Sequence, residues 1–351
     1  MALSSSQRRS RKQSPDEGPR SAQPRLLRKA GTQVRLSASL TAARGCTVAV
    51  CDLGTFSGLI LVARRSGSRL TALLEERHTV DLLSDSRMAR RLGREALDRA
   101  ARVLSRFEEA VRHFNATRSA VVCTSAVREA TNREQFADSL RRMTKHPLRV
   151  LSARHEATLS AAGAVTGLRS PTRPTVIVDI GGGSTEVSIR NGTRSRLWLV
   201  GWGAARATEA WKWASTRPLK QRVEFYTQEA SRIMDDLPAK WGASARVVGV
   251  GGTIVTLAAI HAGLSEFDAK RLHGLTLTTA WICDLSERLA AMNRRTIAGL
   301  VPFDRDRARV LTAGTFLWAG VLNRLGANRV VVSVRGLRWG IAACLAEQGR
   351  I

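Results

Sequence analysis

The sequence predicts an α/β protein made of two related halves that face a cleft. Three observations carry that expectation: a strand-rich unit that occurs twice, strand–helix alternation around both copies, and tight glycine turns at the ends of buried strands. The first copy is TVAVCDLGTFSGLILVARRSGSRLTALLEER, residues 47 to 77, and the second is TVIVDIGGGSTEVSIRNGTRSRLWLVGW, residues 175 to 202. Each reads as an apolar run, then Asp-x-Gly, an alternating strand, a Gly/Ser turn and a third strand. The acid therefore stands at a strand end beside a glycine turn. That places a carboxylate and free backbone N–H groups at one point, as a metal–phosphate site requires.

The remaining elements follow in order. Residues 87 to 115 carry Leu92, Ala96, Leu97, Ala100, Val103, Leu104, Phe107 and Val111 at three- and four-residue spacing, which predicts a helix with one buried stripe. Next come a buried strand over 119–126, a helix over 132–143, a short strand over 148–152 and a helix over 155–165. LRSPTRPT (168–175), with two prolines, predicts a linker. After the second copy the pattern gives a helix over 223–237, a strand over 246–253 and a helical region through Ala291. The last unit is a helix over 306–325, a strand over 329–334 and a helix over 338–348. The expected organisation is a disordered basic tail over 1–45, a first domain over 46–168 and a second over 169–351, with the last helix able to pack back on the first.

The 351 residues hold 56 Lys+Arg against 29 Asp+Glu, a formal charge of +27. Seven of the basic residues are lysines and 49 are arginines, whose planar forks suit phosphate oxygens. Composition alone leaves nucleic acid, nucleotide, polyphosphate and arginine codon bias open. Residues 1–45 contribute +8, from ten basic residues against Asp16 and Glu17, and the body contributes +19. The tail has no apolar periodicity and no secretory h-region. Its Arg- and Ser-rich composition also suits an organellar transit peptide, against the simpler reading of a solvated tail. No run nears the roughly 18 apolar residues of a membrane span. The five cysteines, Cys46, Cys51, Cys123, Cys283 and Cys344, are scattered and never spaced CxxC, which predicts reduced core residues and a cytoplasmic protein. A single Tyr beside eight Trp argues against stacking platforms for single-stranded nucleic acid, so such a partner is expected only through the tail.

Asp179-Ile-Gly181-Gly182-Gly183-Ser184-Thr185-Glu186 is the strongest local signal, because three glycines let the backbone approach an anion without Cβ interference. Asp179 suits ligation of Mg²⁺, which prefers a few carboxylates plus waters. Asp52-Leu-Gly54-Thr55 is the counterpart in the first copy, and Gly249-Val-Gly251-Gly252-Thr253 is a third strand-to-glycine turn. Thr124, Ser125 and Arg128 end a buried strand and start a helix, where hydroxyls and a guanidinium can meet phosphate. Glu156 begins the following helix. It either activates a water or merely favours the helix dipole.

These segments resemble the exopolyphosphatase / guanosine pentaphosphate phosphohydrolase (Ppx/GppA phosphatase) family of the actin-like ATPase superfamily. DIGGGSTE (179–186) and TSAVREATN (124–132) match its motifs closely, and Glu156-Ala157, GGTxxTLA (252–258), His273-Gly274, RxRxxVLTAG (305–314) and SVRGLRxG (333–340) follow in family order. The resemblance covers about residues 46 to 345 and implies the short form of two actin-like (ribonuclease H-like) domains. It implies a hydrolase in which Glu156 is the base or positioner for water and Arg128 clamps phosphate. Thr55, Thr124, Ser125, Gly181, Gly182, Gly183, Ser184, Gly252, Thr253 and Arg307 bind phosphates. Asp52, Asp179 and Glu186 serve Mg²⁺ or another hard divalent cation. The implied substrate is inorganic polyphosphate, with guanosine pentaphosphate as the alternative, and the implied assembly is a homodimer. An ATPase or kinase of the superfamily and a non-catalytic phosphate or alarmone sensor are the readings from other classes.

The chain also departs from the family pattern. Phe56 stands at an Asn position, Leu59 at a basic one, His155 and Arg309 at acids, and Trp339 at the acid near the last helix.

Overall fold

The computed structural model describes residues 45–84, 91–169, 174–191, 194–241 and 244–351. Apart from Gly45, the expected tail lies outside the described residues, as do 170–173 of the expected linker. Two mixed sheets organise the chain. The first contains β1 (Thr47–Leu53), β2 (Ser57–Ser66), β3 (Arg69–Thr79), β4 (Arg118–Cys123) and β5 (Leu148–Val150), in the order β3-β2-β1-β4-β5. The second contains β6 (Thr175–Ile180), β7 (Thr185–Asn191), β8 (Arg194–Val200), β9 (Arg246–Val250), β10 (Thr276–Thr278) and β11 (Arg329–Val332), in the order β10-β11-β9-β6-β7-β8.

Read from β8, the second order is β8-β7-β6-β9-β11, the first order over again. The directions repeat as well. The first three strands of each unit pair antiparallel, and the next two add in parallel. β10 is the one addition, an antiparallel edge strand on β11. The two-copy reading is thus a duplicated topology, the actin-like α/β arrangement that the family resemblance implied. The copies also match residue by residue at their turns. Gly54 N–H donates to Ser57 O at 3.0 Å, and Gly181 N–H donates to Ser184 O at 3.0 Å. Asp52 is the register partner of Leu59, as Asp179 is of Glu186.

β1 is buried along its whole length, which explains its unbroken apolar sequence. One face of the first sheet is covered by α1 (Arg94–His113) and α3 (Arg133–Met143), through Val103, Phe107, Phe136 and Leu140. The other face meets α12 (Leu337–Gln348), through Leu337, Ile341 and Leu345 against Val48, Val50 and Leu61. The larger core covers the second sheet with α5 (Ala204–Trp211), α6 (Leu219–Ile233), α7 (Gly252–His261), α9 (Thr279–Ala291) and α11 (Leu311–Leu325). α4 (Ala153–Ala164) faces both ways, sending Leu159 to α12 and Ala161 and Ala164 to Ile177, Val248 and Val250.

Several expected boundaries move, each for a local reason. The strand expected to Ala126 stops at Cys123, because the chain turns at Thr124 into a one-turn helix, α2 (Ser125–Arg128), in which Arg128 N–H donates to Thr124 O. The helix expected from Val223 starts at Leu219, directly after Pro218, whose fixed φ suits a helix start. The helical region through Ala291 contains α7, α8 (Ala269–Leu272), β10 and α9, since the three residues of β10 are too few to show a period. The helix expected from 306 is a 3₁₀ turn, Arg305–Arg309, followed by α11. It follows α10 (Arg294–Leu300). All five cysteines are free, with Cys51 and Cys123 buried.

α4 and α12 cross at backbone contact. A Cβ on Gly163 would strike the carbonyl of Gly336 and come within 2.8 Å of Gly340 N, and one on Gly340 would strike the carbonyl of Leu159. Neither obstacle is a side chain that can swing aside. Gly340→Ala should therefore force the helices apart and destabilise the protein by about 1–3 kcal/mol, the usual range for overpacking. Urea denaturation of this variant against Gly299→Ala, where a Cβ meets nothing within 4 Å, measures the difference.

Candidate active site

A cleft of about 260 Å³ opens at the strand ends of both sheets, lined by Asp52, Glu156 and Asp179 together with the turns after β1, β6 and β9. Topology brings these groups there. Asp52 and Asp179 occupy equivalent places near the ends of β1 and β6, the two halves of the duplication. Glu156 stands in the first turn of α4, whose N-cap Ser152 accepts from His155 N–H. One turn later Ser160 donates its hydroxyl to Asp179 Oδ2, so α4 holds one acid and orients the other.

The glycine turns do what their spacing implied. Gly251 has φ +100°, and a Cβ there would strike Ile180 O and sit 3.1 Å from Asp179 Oδ1. Gly183 leaves no room for a side chain against Ser125 and Thr55 Oγ1, and a Cβ on Gly182 would lie 3.0 Å from Thr55 Cβ. The loops of the two halves therefore mesh. Thr55 Oγ1 and Ser125 Oγ are 2.8 Å apart, and the carbonyls of Gly181 and Gly182 accept from Ala204 and Ala205 N–H, each at 2.9 Å. Those bonds turn the loop so that Gly182 and Gly183 N–H remain without partners among the described residues.

Thr55, Thr124, Ser125, Gly181, Gly182, Ser184, Gly252, Thr253 and Arg307 line the same cleft as the three acids. Arg307 is 7% exposed, and its guanidinium lies where a Cβ of Gly252 would be. Arg128, Gly183 and Glu186 are not among the residues that line the cleft, although Gly183 lies between Gly182 and Ser184, which do. Arg128 Nη1 donates to Glu156 Oε2 at 2.6 Å and to Leu151 O at 3.0 Å, gripping the carboxylate from the side away from the cleft. Glu186 is buried on β7 opposite Asp179.

The electrostatics are dominated by buried like charge. Burial, then Glu156, pushes Asp52 up to about 8, while Arg338 opposes the rise. Burial raises Glu156 to about 7 against the pull of Arg128. Asp179 is raised by burial against its Ser160 hydrogen bond, and Glu186 is raised well above the usual range by burial and by Glu156. Asp52 Oδ1 and Glu186 Oε1 are buried with no hydrogen-bond partner among the described residues. Orphaned buried carboxylate oxygens are donors that a cation would satisfy. No three His, Cys, Asp or Glu side chains among the described residues stand close enough to hold an ion alone. This donor set fits a cation that keeps waters and takes oxygens from its substrate, as Mg²⁺ does.

Several functional features escaped the sequence reading. Ser160 was legible in principle, since a spacing of four puts it on the Glu156 face of α4. Asp304, whose Oδ1 accepts from Arg77 at 2.6 Å and whose Oδ2 lies 3.4 Å from Arg307, depends on tertiary placement alone. Phe56 is buried with the guanidinium carbons of Arg307, Arg77 and Arg309 at 5.5, 5.7 and 5.8 Å from its ring centre. Arg309 also pairs with Asp81. The departures at 56 and 309 are thus neighbours.

The duplicated sheets and meshed glycine loops define an actin-like α/β protein with a phosphate-type cleft. The family description "Ppx/GppA phosphatase family" matches residues 61–347, and the chain belongs to that family. It is a hydrolase acting on phosphoanhydride bonds. The match begins beyond Phe56 and Leu59, where the chain departs from the pattern. Exopolyphosphatase 2 of Mycobacterium tuberculosis is 29% identical over 319 residues, which cover 85% of this chain and 98% of that protein. A Ppx/GppA family member from Aquifex aeolicus superposes with a TM-score of 0.72 at 23% identity, over 88% of this chain and 99% of its own. An exopolyphosphatase from Cytophaga hutchinsonii does so with a TM-score of 0.77 at 21% identity, over 87% and 99%. Both show the same fold. No helix among the described residues is long and apolar enough to cross a membrane.

Raised carboxylates set the sign of the pH response. A folded pKa of about 8 for Asp52, against an ordinary 3.8, means that the folded state binds the extra proton between those values. Stability from this group therefore falls as pH rises across that window. In chelator, Asp52→Asn should melt at a higher temperature than the wild type at pH 8, with the gap closing towards pH 4. Calorimetric scans at the two pH values check this.

Proposed function

We propose that the protein releases terminal orthophosphate from inorganic polyphosphate by attack of water. The carrying observation is the convergence of Asp52, Glu156 and Asp179 on one cleft whose walls are the glycine turns of both halves. In this reading Glu156 orients the water and takes its proton, and Arg128 fixes the position of that carboxylate. Gly182 and Gly183 N–H, with Thr55, Thr124, Ser125 and Ser184, cradle the terminal phosphate. Thr253, Gly252 and Arg307 receive the chain on the opposite wall. Asp52 and Asp179, supported by Glu186, would hold Mg²⁺ or a similar ion, which when bound neutralises charge on the phosphate oxygens. The bond to the bridging oxygen breaks as the new P–O bond forms, and positioning supplies most of the acceleration. Arg77, Arg307 and Arg338 in the cleft favour a polyanion, as does the body charge. The reading places the enzyme in the cytoplasm, as a homodimer.

Guanosine pentaphosphate is the second reading. Val255, Phe267 and Phe303 give the cleft an apolar end, with the two Phe rings 6.4 Å apart, a surface that suits a base.

Wild-type protein with Mg²⁺ and no ATP should release phosphate from polyphosphate, and chelator should abolish the release. Glu156→Gln should lower kcat by about 10²–10⁴ with KM little changed, the range for a general base. Phosphate release measured on polyphosphate and on guanosine pentaphosphate side by side assigns the substrate, and unaltered kcat in Glu156→Gln removes Glu156 from the mechanism.

A further inference from the structure

We propose that Arg338 grips a substrate phosphate on the Asp52 side of the cleft, where the loop after β1 offers no basic side chain. The inference rests on the phosphohydrolase reading of the cleft and adds a residue to it. Among the described residues three cations line that cleft. Arg77 is spent: its nitrogens donate to Ser57 Oγ at 3.1 Å, Asp304 Oδ1 at 2.6 Å and Thr79 Oγ1 at 3.4 Å. Arg307 lies against Gly252, beside Asp304. Arg338 remains.

Arg338 stands in the first turn of α12, and its Nη1 donates to Ile60 O at 3.0 Å. That is its one hydrogen bond among the described residues, and it forms no ion pair with them. A guanidinium carries five N–H donors, so four are left over. Two other arginines each hold a pair of carbonyls. Arg118 donates to both Leu345 O and Ala346 O, and Arg324 to both Leu237 O and Asp235 O.

Placement gives those donors a direction. Ile60 follows Leu59, the register partner of Asp52, and Leu59, Asp52 and Arg338 line the cleft together. Asp52, whose rise Arg338 opposes, shares that wall with a second acid, Glu75. Glu75 Oε1 accepts from Trp339 Nε1 at 3.0 Å, while Arg335 stacks on the Trp339 ring at 4.0 Å. Trp339, where the family has an acid, thus withholds one carboxylate from Arg338 and occupies another. The wall would repel a polyanion through Asp52 and Glu75 unless a free cation offset them. A planar fork with open donors is suited to phosphate oxygens.

The test is calorimetric titration with sodium tripolyphosphate and Mg²⁺ at low salt. Arg338→Ala should weaken binding at least tenfold and raise KM for phosphate release by a similar factor, with kcat changed less. Adding Leu59→Arg to that variant should restore most of the affinity, since it returns a guanidinium to the same wall from the neighbouring residue. A purely structural Arg338 would not be rescued in that way. Leu59→Glu in the otherwise wild-type chain leaves α12 untouched and should weaken binding comparably, which covers the case of a poorly folded Arg338→Ala. If the wild type binds tripolyphosphate and both Arg338→Ala and Leu59→Glu bind equally well, this inference is overturned while the phosphohydrolase reading stands. If the wild type neither binds tripolyphosphate nor releases phosphate from it, the reading of the cleft falls and takes this inference with it.

Discussion

Backbone contact between α4 and α12 is the constraint on which the site depends. The two helices lie between the sheets, and they approach so closely because Gly163 and Gly340 carry no side chain at the crossing. α4 brings Glu156 to the cleft and binds Asp179 through Ser160. α12 brings Arg338 to the opposite rim and anchors it on β2. One helix crossing therefore sets the spacing between Glu156, Asp179 and Arg338. A side chain at that crossing would act on the site from a distance, by displacing a helix and not by removing a functional group.

The site is also expensive to fold. Four carboxylates are buried close enough to raise one another, and two of their oxygens have no partner among the described residues. Burying such a cluster lowers stability. Around it the two halves are tied at their rims by Arg77 to Asp304, Thr79 to Asp306 and Arg206 to Glu129, at 2.6, 2.9 and 2.5 Å. Arg309 adds a further bridge between the halves through Asp81. Part of the large positive charge thus serves pairing between the halves.

The duplicated strand unit was legible because apolar alternation, Asp-x-Gly and a short Gly/Ser turn recur in one order, and each is a local signal. The two related halves facing a cleft followed from them, while the strand order within each sheet is a finding of the structure. β10 was not legible, since three residues carry no period, and neither was the 3₁₀ turn at Arg305–Arg309. The partners that finish the site, Ser160, Asp304 and Arg338, lie 19, 3 and 278 positions from the groups they bond or approach. Only the Arg307 neighbour is local. The departures from the family pattern were visible as substitutions, but their meaning was not. Nothing in the order of residues says that Phe56 and Arg309 touch, or that Trp339 takes Glu75 away from Arg338.

Thr55 and Gly182 hold equivalent places in the two copies, and in the folded chain they meet each other. Like against like at this point would not fit: a threonine at 182 would crowd Thr55, and a glycine at 55 would remove the hydroxyl that bonds Ser125. The contact that closes the two loops therefore uses a place where the copies differ in bulk, and the repeat in topology does not extend to the side chains at the seam.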